Sequence, residues 1–162
     1  MNAKEMIMKR STIAKTFTIA AVTALALGLA PTAKADDKGC SNATLLGTFG
    51  FTSSGFITAP AVVAGPFAGV GTQTFDGSGT TTATATQSQN GNIHPVTITG
   101  TYTVNPDCTG TLTLLASPGG FTSHFFFVID DNGNELLAIC TDPGVVLPRI
   151  ERRQFPRGDP RQ

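Results

Sequence analysis

The chain has no tryptophan, one tyrosine, two histidines and three cysteines among 162 residues, and only 14% of it is charged. Each shortage closes off a class of protein. Outer-membrane barrels carry girdles of tryptophan and tyrosine at both interfaces, and Tyr102 alone does not furnish one. His94 and His124 have no third ligand at useful spacing, which speaks against zinc. There is no G-x-S-x-G elbow and no defined serine–histidine pairing, so nothing demands nucleophilic catalysis. The longest apolar run, Phe17 to Ala30, falls short of the ~20 residues that a bilayer-spanning helix needs. Long helical stretches are missing as well.

What is present begins with a secretory signal. Lys9, Arg10 and Lys15 precede the apolar run, Pro31 breaks it, and Ala33-Lys34-Ala35 supplies a small-x-small cleavage pattern. Cleavage there makes Asp36 the mature N-terminus and exports the protein to the periplasm or beyond. The alternative, a retained membrane anchor, lacks both length and a second charged flank. Residues 36–154 then form one domain, because the 127 residues left suit a single core. The mature chain carries six basic against ten acidic residues, and its body from Asp36 to Pro148 has Lys38 against eight acids. Nucleic acid is no partner for such a body. The remaining basic residues, Arg149, Arg152, Arg153, Arg157 and Arg161, are interleaved with Pro148, Pro156 and Pro160. They read as a basic end that an anionic surface would attract, with 155–162 a disordered tail.

From Leu45 onward the apolar rhythm has period two, with turn residues every ten or so positions. In Val96-Thr97-Ile98-Thr99-Gly100-Thr101-Tyr102-Thr103-Val104 the apolar residues share one face and four threonines the other. Leu112 and Leu114 repeat the pattern after Asn105-Pro106-Asp107, so the two runs form a hairpin. Further strands are expected over 45–52, 56–63, 69–75, 80–89, 122–130, 135–141 and 145–152. Asp76-Gly77, Asn90-Gly91, Pro118-Gly119-Gly120, Asn132-Gly133 and Asp142-Pro143-Gly144 separate them. The expected fold is all-β: an antiparallel up-and-down meander closing into a barrel of eight or nine strands, with a two-sheet sandwich as the alternative. Twenty mature threonines and a single lysine give its outer face hydroxyls in place of ammonium groups.

Asp130-Asp131-Asn132-Gly133-Asn134-Glu135 is rich in oxygen ligands, but its spacing suits a hairpin turn better than a calcium loop. Nothing in the chain calls for a metal or cofactor. The phenylalanines, Phe49, Phe51, Phe56, Phe67, Phe75, Phe121 and Phe125 to Phe127, supply the bulk of the interior. A barrel of this size is either filled by such side chains or holds one small apolar ligand. For the second case His124, Phe126 and Tyr102 are the candidate contacts, with His124 and Phe126 sharing a strand face. Of the cysteines, Cys140 ends Leu136-Leu137-Ala138-Ile139 as a small buried hydrophobe, whereas Cys40 and Cys108 lie where segments can meet. The expected disulfide is Cys40 to Cys108.

The stretches Cys40-Ser41-Asn42-Ala43-Thr44-Leu45, Gly47-Thr48-Phe49-Gly50-Phe51, Thr74-Phe75-Asp76-Gly77, Gly100 to Thr111 and Thr141-Asp142-Pro143-Gly144 resemble a group of uncharacterised secreted bacterial proteins. The resemblance covers Cys40 to about Gln154. It implies a small β-barrel in the broad outline of calycins and allene oxide cyclase, and includes Cys40 and Cys108 but not Cys140. No catalytic residue of allene oxide cyclase is matched, so an isomerase would rest on fold analogy alone. The leading expectation is an exported, non-catalytic barrel that binds a small apolar ligand or a surface partner. The competing ones are an isomerase or hydrolase built on His124 and one acid, and an outer-membrane barrel.

Overall fold

Alternation between Gly47 and Arg153 resolves into nine antiparallel strands: β1 Gly47–Ile57, β2 Gly65–Phe75, β3 Thr80–Gln89, β4 Asn92–Val104, β5 Thr109–Ser117, β6 Thr122–Asp130, β7 Glu135–Cys140, β8 Val145–Val146 and β9 Pro148–Arg153. This computed structural model describes residues 39–155. The secretory segment with Ala33-Lys34-Ala35, and the tail from Pro156 with Arg157 and Arg161, lie outside the described residues.

From β1 to β7 each strand pairs with the next, β7 pairs with β9, and β1 pairs with both β2 and β9. Phe49, for example, faces Gln73 on one side and Arg153 on the other. Eight strands thus close into a barrel, and β8 adds a two-residue pairing to the far end of β1. A sandwich would leave β1 with a free edge, which it does not have. Two expected boundaries move. Phe56 is not the start of a separate strand but the end of β1, which runs straight through Ser53-Ser54-Gly55, and Ala61–Val63 form a 3-10 turn. The strand expected over 145–152 divides at Leu147 into β8 and β9.

Turn chemistry fixes the hairpins. Asn90 (φ 52°) and Gly91 (φ 82°) take the left-handed conformation that a two-residue type I′ loop requires. At the β2–β3 turn the Asp76 carboxylate accepts the N–H groups of Ser78, Gly79 and Thr80 at 2.8, 2.9 and 2.9 Å and the Ser78 hydroxyl at 2.5 Å. These bonds, led by the Ser78 hydroxyl, hold its pKa far below the ordinary aspartate range.

The core sits at one end of the cylinder. Phe49, Phe75, Phe127, Leu112 and Leu136 are essentially inaccessible there, and the Phe75 ring lies edge-on to Phe49 and to Tyr102 at 5.4 and 5.0 Å. The segment before β1 closes that end. Its 3-10 turn Asn42–Leu45 buries Leu45 completely, and the Asn42 carbonyl and side chain accept from the Tyr102 hydroxyl (3.2 Å) and the Val104 N–H (2.8 Å). The Cys40–Cys108 disulfide ties this stopper to the β4–β5 turn, as expected from the sequence.

Two measurements test this account. Replacing Cys40 and Cys108 by serine opens a loop of 68 residues and should lower stability by about 4 kcal/mol in denaturant unfolding. The Asp76 turn contributes fully above the ordinary aspartate range, and that contribution is lost as pH falls below it, because the folded-state pKa is depressed. Asp76→Asn should therefore be less stable than the wild type near neutrality, with the gap closing as pH drops from about 5 to about 2.

Candidate functional site

Inward side chains shrink or turn polar toward the other end of the barrel. Ser53, Gln87, His94, Ala116 and Ser123 stand at inward positions there, and on β1, β5 and β6 phenylalanine or leucine fills the inward positions below. The volume left over is a cavity of about 540 Å³, within the range of small-molecule sites. Phe51, Ile98, Leu114, Phe125 and Arg149 form its floor, and Phe49, Leu112, Phe127 and Glu151, the next inward residues down four of those strands, are fully or almost fully buried. Ile57, Val63, His94, Phe121 and Pro143 surround the mouth. The interior is therefore both alternatives at once: filled at one end, hollow at the other.

The floor contains a buried polar group. On β9 the inward set is Arg149, Glu151 and Arg153, and the outward set Pro148, Ile150 and Arg152. Arg149 Nε donates to Glu151 Oε1 at 2.8 Å, its Nη2 donates to Gln73 Oε1, and its guanidinium lies 3.5 Å from the centre of the Phe51 ring. Gln73 and Glu151 are fully buried, and Arg149 is 4% exposed. Burial raises the Glu151 pKa, with the Arg149 charge and hydrogen bond opposing. Gln73 Nε2 and Glu151 Oε2 make no protein hydrogen bond among the described residues. Deeper, Arg153 donates to the carbonyls of Leu46 (2.5 Å), Thr44 (3.1 Å) and Gly133 (2.9 Å) and stacks on Phe49, locking β9 to the stopper.

This corrects the reading of Arg149, Arg152 and Arg153 as a solvated basic end. Two of the three point inward, and Arg152 pairs on the surface with Glu135 at 2.9 Å. The proposed ligand contacts also move. Phe125, Phe127 and Ile129 take the inside of β6, so His124 and Phe126 do share a face, but it is the outer one. Phe126 joins Val128, Leu137, Ile139 and Ile150 in a half-exposed apolar patch across β6, β7 and β9. Tyr102 is inside but at the closed end, and burial raises its hydroxyl pKa. None of the three lines the cavity. Arg149, Ser53 and His94 do, and the sequence signal that marks them is only their parity with apolar neighbours.

His124 does have an acid beside it. Its Nδ1 lies 2.7 Å from Asp142 Oδ1, its backbone N–H donates to Oδ2 at 2.9 Å, and the Cys140 thiol donates to Oδ2 at 3.4 Å. Partial burial pushes Asp142 upward, but the bonds from His124 and Cys140 prevail and hold it below the usual range. Burial, aided by the Asp142 charge, raises the Cys140 thiol and keeps it protonated at neutral pH. Nucleophilic catalysis needs the imidazole between nucleophile and acid, and here the acid stands in the middle. The described residues hold no cluster of metal-ligating side chains, the Asp130 to Glu135 turn included. Comparison with protein-family models, curated proteins and solved structures finds no match for the chain.

The buried pair makes a stability prediction. Glu151→Ala leaves Arg149 without its counter-charge and should cost about 3–5 kcal/mol in denaturant unfolding. Replacing Arg149 and Glu151 together by methionine should cost far less, because the desolvation penalty of both ions disappears with them.

Proposed function

We propose that the protein is an exported, non-catalytic binding protein that takes a small, predominantly apolar molecule into the open half of its barrel. The observation that carries this reading is the cavity itself: a hollow of about 540 Å³ with mainly apolar walls, beside a half filled by buried side chains. Export is supported by the secretory pattern ending at Ala35 and by a disulfide that suits an oxidising compartment. The outer wall of β2 to β4 is largely threonine while the interior of the closed end is mainly apolar. That polarity is opposite to a membrane barrel, which is apolar outside and polar within. The enzyme reading has the His124–Asp142 pair in its favour, but the imidazole lies on the outer face of β6.

The test is a titration of mature protein with the uncharged apolar fluorophore N-phenyl-1-naphthylamine. Saturable binding of one probe per chain is expected. Ala116→Trp, which places an indole in the cavity wall, should abolish it, and Val128→Thr on the outer patch should not. Unsaturable binding, or binding unaltered by Ala116→Trp, would overturn the reading.

A further inference from the structure

The cavity wall is mainly apolar, with neutral polar side chains such as Ser53, Gln87 and Ser123 toward the mouth and a fixed positive charge at its floor. Among the described residues Arg149 is the single arginine or lysine in its wall, and its side chain is held between the Phe51 ring, Glu151 and Gln73. Those bonds use Nε and Nη2. The Nη1 amine has no protein acceptor among the described residues, although the side chain is 96% buried and borders the cavity. The Nη1 N–H groups can donate to a carboxylate oxygen, and such a charge-assisted bond strengthens where water is excluded. The other charge in the wall, Asp142, lies at the mouth and is engaged by His124 and Cys140. A ligand that passes the mouth therefore meets the fixed cation last, below the apolar side chains of Val96, Ile98, Leu114 and Phe125.

We propose that the ligand of this cavity is an amphiphile with one carboxylate, which descends head first to Arg149 while its apolar body lies against Val96, Ile98, Leu114, Phe125 and Leu147. This rests on the reading of the cavity as an apolar-ligand site. Glu151 then acts as a positioning residue: it orients the guanidinium through Nε, and its own charge competes with the incoming head group. Chain length is selected by the distance from the floor to the mouth, and uncharged or cationic amphiphiles are disfavoured.

The experiment is isothermal titration of the mature protein with laurate and with lauryl alcohol, which share a tail and differ in charge. Laurate should bind at least about tenfold more tightly. The Arg149→Met, Glu151→Met double variant removes the cation without stranding an acid, and should lose that preference while still binding lauryl alcohol. Glu151→Gln keeps the cation, removes the competing charge and should tighten laurate alone, an effect that a purely structural role would not produce. Should the double variant fail to fold, the wild-type preference and the Glu151→Gln result decide between them. Equal binding of the two probes by the wild type, or a laurate affinity unmoved by Glu151→Gln, overturns the carboxylate proposal and leaves the apolar cavity standing. Binding of neither probe overturns both.

Discussion

Strand β1 carries hydrogen bonds along both of its edges, to β2 over its full length and to β9 and β8 in succession, and this double pairing governs everything else. A closed ring of eight strands has no free edge to recruit another chain, and it has only two kinds of position, inside and outside. Once β1 places Phe49, Phe51 and Ser53 inward, register carries the assignment from strand to strand around the cylinder. A slip of one residue anywhere would exchange the two sets in the slipped strand. The stopper, the packed half, the cavity and the apolar patch on the outer wall are all consequences of that parity.

Parity says where a side chain points, and volume then decides what forms there. At the closed end the inward residues are large, and the 3-10 turn before β1 completes them with Leu45. The disulfide and the Asn42 bonds hold that turn in place, so the end is shut by chain as well as by side chains. Toward the mouth, Phe67 apart, the inward residues are mostly serine, glutamine, alanine and histidine, with too little bulk to meet across a barrel of this circumference. A hollow follows from geometry. No separate binding element is needed to make one.

How much of this was legible depended on contrast between neighbours in the sequence. In β4 every second residue after Val96 is threonine, so its buried face could be read directly, and Val96, Ile98, Tyr102 and Val104 are all inside. The same holds for Leu112 and Leu114, and the bridge between Cys40 and Cys108 followed from the company each cysteine keeps. In Phe125-Phe126-Phe127-Val128-Ile129 both faces are apolar, and local sequence carries no parity at all. The register with β5 and β7 sets it, and that places Phe126 and His124 outside. Continuity was hidden for the opposite reason. Ser53-Ser54-Gly55 has the composition of a turn, yet β1 passes through it because β2 pairs with all three residues. The polar floor was invisible because one of the two acceptors of Arg149, Gln73, lies 76 residues earlier in the chain.

The last strand shows why charge sits inside at all. Judged by hydropathy, β9 should turn Ile150 inward and leave Arg149, Glu151 and Arg153 to solvent. The opposite parity prevails because it is specified at both ends. Leu147 packs into the interior before the strand begins, and Arg153 at its end donates to three carbonyls that only an inward guanidinium can reach. With both ends fixed, Arg149 and Glu151 have no choice but to enter, and they are tolerated because each partly neutralises the other and Gln73 accepts a further bond. A hydrophobic pair of the same volume would satisfy the barrel at least as well by energy alone. What such a pair could not supply is a fixed cation at the bottom of a mainly apolar cup, and that distinguishes this interior from a merely unfilled core.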